Sequence, residues 1–123
     1  MKPRSTCLAI ICSLFVIVPA WAHHSHGNYD MTQFKNLKGK VTEVHWNNPH
    51  SWIYLEVTSD KGQTDTWALE GASVTQLTRK GWTKESIKAG DNLTVRCHQL
   101  HDGTNGCLLG FVSVSGAAEK EFD

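Results

Sequence analysis

Between residues 37 and 115 the chain is written in short blocks of alternating apolar and polar positions. "SWIYLEV" at 51–57 puts Ile53, Leu55 and Val57 on one face and Trp52, Tyr54 and Glu56 on the other. That period of two is the mark of a half-buried strand. Before it, "LKGKVTEVHW" carries Val41, Val44 and Trp46 with no helix cap, and reads as an earlier strand. Asn47, Asn48 and Pro49 form the turn between them, because Pro49 cannot donate to a ladder and biases Asn48 toward extended backbone. After the "SDKGQ" loop, "TDTWALE" places Trp67 and Leu69 on one side of a third strand. The period then changes. Ser73 is a fitting N-cap, Val74, Leu77 and Lys80 share a helical face, and Gly81 stops the helix. A short helical turn runs from Thr83 through Ile87 to Ala89-Gly90. "NLTVRCHQL" alternates Leu93, Val95 and Cys97, and "CLLGFVSV" alternates Leu109 and Phe111 against Leu108, Val112 and Val114.

Three strands, a helix and two strands is the chain order of an OB-fold. The fold class predicted is therefore all-β: a small five-stranded OB-like Greek-key barrel with one helix between strands three and four. An open β-sandwich fragment or another small barrel is the alternative. The barrel domain is assigned to 37–115. Residues 23–36 read as an extended His-rich segment, and 116–123 as a flexible polar tail.

The first 22 residues have a different character. Lys2 and Arg4 precede an apolar run from Leu8 to Val18, and Ala20-Trp21-Ala22 ends it with small residues in an A-x-A triplet. This is the pattern of a secretory signal peptide, and it predicts a periplasmic or secreted protein with no stable membrane anchor after cleavage. The run is short for a retained membrane span. Cleavage after Ala22 leaves ten basic against twelve acidic residues, a net charge of −2 with neutral histidines. Nucleic-acid binding normally needs a basic stripe, so no nucleic-acid partner is expected.

Export also bears on the cysteines. Only Cys97 and Cys107 survive processing, and in an oxidising compartment such a pair predicts a disulfide. A hairpin with Cys97 opposite Cys107 makes Leu100 face Thr104 and leaves His101-Asp102-Gly103 as a three-residue loop, with Gly103 at the positive-φ place. A thiolate metal site with His98 or His101 is the competing reading.

Cleavage after Ala22 would make His23 the first residue, followed by His24 and, two further on, His26. The α-amine and Nδ1 of an N-terminal histidine can chelate one metal in a six-membered ring. A second imidazole, from His24, His26 or His50, completes a three-nitrogen set that suits copper. The metal candidates are thus His23, His24, His26 and His50, in a site resembling the histidine brace of copper proteins. The plainer reading is a polar leader that binds divalent metals as a purification tag does. Cleavage after Ala20 would instead put His23 third and create a different copper motif.

A second candidate lies in "WNNPHSWIY". If Asn47-Asn48-Pro49 is the loop, Trp46 faces His50 and Val44 faces Trp52. Trp46, His50, Trp52 and Tyr54 would then form one aromatic wall, with His45 on the other face. Such a wall on an OB-fold can bind a small ligand or a protein segment, or can simply be core. Catalysis finds little support. Glu43, Glu56 and Glu70 are single carboxylates on separate strands, read as solvated or barrel-mouth residues, and Ser25 beside histidines makes no triad.

Taken together, several stretches resemble a family of small exported bacterial proteins known as domain of unknown function 6152. They are His23-His24-Ser25, Trp46-Asn47-Asn48-Pro49-His50, Gly39-Lys40-Val41, Trp67-Ala68-Leu69-Glu70, Gly81-Trp82 and Gly90-Asp91. The resemblance implies a one-domain periplasmic or secreted protein and supplies no activity. His26 and the Cys97/Cys107 pair depart from the family pattern. The functional expectation is an exported binding module with copper at its N-terminus. A metal-free ligand- or protein-binding barrel is the alternative, and a copper-dependent redox enzyme comes third.

Overall fold

The eleven-residue strand β1 (Lys35–His45) organises the computed structural model, which describes residues 26–123. Its first half pairs antiparallel with β4 (Asn92–Gln99), from Lys35↔Cys97 to Lys40↔Asn92. Its second half pairs antiparallel with β2 (Trp52–Thr58), from Lys40↔Glu56 to His45↔Trp52. One strand serves two neighbours because it bends. A Cβ on Gly39 would lie 2.1 Å from the Glu56 carbonyl oxygen, so only glycine permits that approach. A bulge between Val41 and Glu43 adds further twist.

β2 continues the meander into β3 (Thr64–Glu70). The end of β3 runs parallel to the start of β5 (Gly106–Val114), with Ala68↔Gly106, Leu69↔Cys107 and Glu70↔Leu108 in register. β5 returns antiparallel to β4. The ring β1-β2-β3-β5-β4 is closed, and α1 (Val74–Arg79) lies between β3 and β4 in the chain. This is the predicted five-stranded OB barrel. Closure pairs the strand edges that an open sheet would expose.

The alternating positions fill the interior. Ile53, Leu55, Leu69, Leu93, Val95 and Val112 are all fully buried. The helix contributes Leu77, its one buried residue. Its start is fixed by a capping box: Ser73 accepts from the Gln76 backbone N–H, and the Gln76 side chain accepts from the Ser73 N–H. Gly81, at φ +86°, follows the C-cap Lys80, as the sequence predicts. Residues 83–87 form hydrogen-bonded turns rather than a helix, with Ser86 Oγ accepting from the Thr83 N–H at 2.8 Å.

Four expectations require correction. The β1–β2 connection is residues 46–51, longer than Asn47-Asn48-Pro49 alone, with a cis Asn48–Pro49 bond. His45 lies opposite Trp52 and Val44 opposite Ile53, so the register is shifted by one and His45 shares the outer face with Trp52 and Tyr54. The hairpin joining β4 and β5 is also longer than expected. Gln99 lies opposite Cys107, and Leu100 N–H donates to the Gly106 carbonyl. The cysteines are therefore diagonal neighbours, still bonded, with Cα atoms 5.6 Å apart. The disulfide replaces the thiolate-site alternative. A bulge opposite Arg96 and Cys97 leaves Gly110 as an extra residue of β5 and shifts its alternation, so Leu109 and Val112 both reach the core.

The third and fourth corrections concern the ends. Residues 116–123 are not a free tail. Lys120–Glu121 forms β6 on the edge of β5, and Phe122 is 1% exposed, edge-on to Trp82. The Trp82 indole N–H donates to the Glu121 carbonyl at 2.7 Å. One buried aromatic in a polar run gives no periodic signal, which is why the pattern reads as a tail. At the other end, β1 begins at Lys35 and Tyr29 bridges to Leu100, so the folded unit starts before residue 37.

Candidate functional site

The N-terminal segment reaches the barrel through Tyr29. Asp30 N–H donates to the Gln99 carbonyl at 2.8 Å and His101 N–H to the Asn28 carbonyl at 2.9 Å, fixing the segment against the tip of the β4–β5 hairpin. His98 clips it further. Its Nδ1 lies 3.0 Å from the Asp30 carbonyl oxygen and 2.8 Å from that of Gln33. Carbonyls only accept, so this nitrogen carries the proton. The His98 ring also stacks on Phe34, with centroids 4.3 Å apart. Asp30 itself is held low, at a pKa of about 2, mainly by the Thr32 hydroxyl and then by the Gln33 side chain.

This anchoring aims the Tyr29 phenol inward. It is 5% exposed and donates to Glu70 Oε2 at 2.5 Å. Glu70 ends β3 where the barrel closes, and it is 6% exposed, so of the two expectations, solvated or barrel-mouth, the first is corrected. A buried carboxylate needs donors or a counter-charge. The other oxygen faces His50: Oε1 lies 3.2 Å from Nδ1. That nitrogen is buried and has no well-aligned hydrogen bond, so the contact is close but bent. The rest of the ring is half-buried at the surface. Burial first, and the Glu70 bond second, raise the Tyr29 pKa above its ordinary value.

The Asn48–His50 loop that presents His50 is pinned from three sides. Asn48 Oδ1 accepts from the Val74 N–H at 2.9 Å, Ser51 N–H donates to the Ala72 carbonyl, and the Ser51 hydroxyl donates to the Asn47 carbonyl. The loop is thus tied to the start of α1 and to the chain just after Glu70.

The metal candidates divide. His23 and His24 lie outside the described residues. His26 is exposed, with Nε2 3.7 Å from Asp123 Oδ2. Among the described residues no three His, Cys, Asp or Glu side chains gather closely enough to form a metal centre. One connection between His26 and His50 runs through the segment leading to Tyr29 and through Glu70.

The aromatic wall is broken up. Trp46 packs on the core, in a crevice with Val44, Trp82 and Phe122. Trp52 and Tyr54 point outward from β2, and His45 lies edge-on to Tyr54 at 5.3 Å. A polar groove of about 400 Å³ beside Asp30, Phe34, Leu100 and His101 shares no residue with Tyr29, Glu70 and His50. Sequence reasoning missed Tyr29 and the burial of Glu70. The available hint was the Trp-Ala-Leu-Glu run, an acidic residue at the end of a strand with a buried face.

The closed β1-β2-β3-β5-β4 ring defines the protein as an OB-fold barrel. By sequence it belongs to a family of unknown function, DUF6152, whose model matches residues 11–109. No curated relative matches the chain. Among solved structures it is similar to the mitochondrial single-stranded DNA-binding protein Rim1 of S. cerevisiae, at 13% identity and a TM-score of 0.48, covering 69% of this chain and 98% of that one.

Proposed function

We propose that the protein is an exported copper-binding module in which the terminal amine and imidazole of His23 hold the metal and His50 completes the nitrogen set. The supporting observation is the convergence of Tyr29 and His50 on one buried carboxylate, Glu70. It ties the segment that follows the histidines to the loop that carries His50. Two residues separate His23 from His26, so a chain beginning at His23 could place its terminus at most about 11 Å from His26. A tag-like leader would need no such anchoring.

The reading requires removal of residues 1–22, so the mass of the exported protein must correspond to a chain beginning at His23. Calorimetric titration of that protein with Cu(II) should give one equivalent. His50→Ala should weaken binding at least tenfold, roughly the loss that even an outer-shell change produces. Unchanged affinity and an unchanged paramagnetic resonance spectrum would remove His50 from the site.

A second reading rests on Trp52 and Tyr54, which are half-exposed on the outside of β2. The neighbouring faces of OB barrels are used for ligand binding by stacking. Quenching of the Trp52 fluorescence by an added ligand, lost in Trp52→Ala, would favour this metal-free function.

A further inference from the structure

We infer that Glu70 is a positioning residue that holds neutral His50 as its Nδ1–H tautomer and leaves the Nε2 lone pair on the open side of the ring. The inference deepens the copper reading and rests on it for its purpose, but its geometry stands apart from any metal.

The argument is a count of donors and acceptors. Glu70 offers only acceptors when ionised. Its Oε2 takes the Tyr29 hydroxyl, and its Oε1 is left facing His50 Nδ1 at 3.2 Å. In the Nε2–H tautomer, Nδ1 would present a lone pair to that oxygen. Two acceptors would then meet in a site closed to water, which costs the desolvation of both. In the Nδ1–H tautomer the same pair becomes a donor and an acceptor, and a small ring rotation straightens the bent contact. Nδ1 has no other hydrogen-bond partner among the described residues. The side chain is 36% exposed while Nδ1 is buried, so Nε2 is the nitrogen left for an incoming metal to meet. Metal-binding imidazoles commonly donate their second nitrogen to a carboxylate in this way, which fixes both tautomer and orientation. Glu70 does a second task through its other oxygen. By holding Tyr29 it fixes the chain just after His26.

The test uses the metal-free mature protein with ¹⁵N-labelled histidine, at alkaline pH where the neutral ring is observed. Two-bond ¹H–¹⁵N correlation should show His50 protonated at Nδ1. Glu70→Leu, which removes both acceptors, should convert it to the Nε2–H form that free histidine favours. Glu70→Gln keeps a carbonyl oxygen and should restore the Nδ1–H form. Cu(II) affinity should fall about 10–100-fold in Glu70→Leu and recover in Glu70→Gln. An Nε2–H ring in the wild type, or a tautomer indifferent to Glu70→Leu, overturns the inference. If Glu70→Leu fails to fold, the wild-type and Glu70→Gln tautomers decide it. A wild type that shows Nδ1–H but binds no copper refutes the copper reading and supports the role of Glu70.

Discussion

Tyr29 donates its phenol to Glu70 across 41 positions of sequence, at 2.5 Å. Both groups are buried, and neither belongs to a pattern that reveals the other. The bond makes the N-terminal segment part of the barrel.

Removing the phenol tests that coupling. Tyr29→Phe leaves Glu70 Oε2 buried without its donor, and should cost about 1–3 kcal/mol, the usual penalty for an orphaned buried polar group. Urea denaturation of the variant measures it. An unchanged midpoint would mean that the segment is not held through this contact.

The same phenol predicts a pH dependence. Burial, and secondarily the Glu70 bond, raise its pKa in the folded state above the ordinary 10.0. The unfolded chain therefore gives up this proton first as pH rises. Tyr29 makes stability independent of pH below about 10, then lowers it above that value by up to about 1.4 kcal/mol per pH unit. Tyr29→Phe should show a shallower alkaline decline than the wild type. Parallel declines would place the titrating group elsewhere.

Two aromatic residues should respond oppositely to truncation. Phe122→Ala should cost about 3–5 kcal/mol, because the ring is buried against Trp82 and its removal leaves a cavity. Trp52→Ala should cost clearly less, since that side chain lies on the outer face of β2. Denaturation midpoints of the two variants decide it, and equal losses would put Trp52 in the core.

The disulfide should be kinetically protected as well as stabilising. Cys97 and Cys107 are fully buried, so thiol reagents should find no free thiol in the native protein. Reduction in denaturant followed by refolding should lower stability by about 2–3 kcal/mol, as the chain-entropy model gives for so short a loop. Two titratable thiols before reduction would overturn the assignment.

Local signals carried the fold. Ile53 and Leu55 alternate with outward residues, Ser73 and Gly81 bracket a helix, and Cys97 and Cys107 are close in sequence; each feature is legible within a few positions. The errors arose where a local rule had to set a long-range relation. Asn47-Asn48-Pro49 signals a turn but not its length, and a one-residue change moved His45 to the outer face and left Trp46 on the core. Gly103 does take a positive φ, yet the hairpin register is set by Leu100 and Gly106. Phe122 and Tyr29 each sit alone among polar residues, so nothing nearby announces their burial. The candidate site was legible only in its histidines. Glu70, which joins His50 to the N-terminal segment, gains its meaning from contacts made by distant parts of the chain.

The role proposed for a terminus at His23 can be isolated by one comparison. Mature protein beginning at His23 is set against a version with one extra alanine before His23, and Cu(II) binding to both is followed by calorimetry and paramagnetic resonance. The added residue keeps every imidazole and moves the free amine out of the chelate ring. The account predicts markedly weaker binding and an altered copper spectrum in the extended version, with wild-type affinity falling at lower pH as protons compete for amine and imidazole. Equal affinities and identical spectra would overturn it, leaving the histidines as a leader.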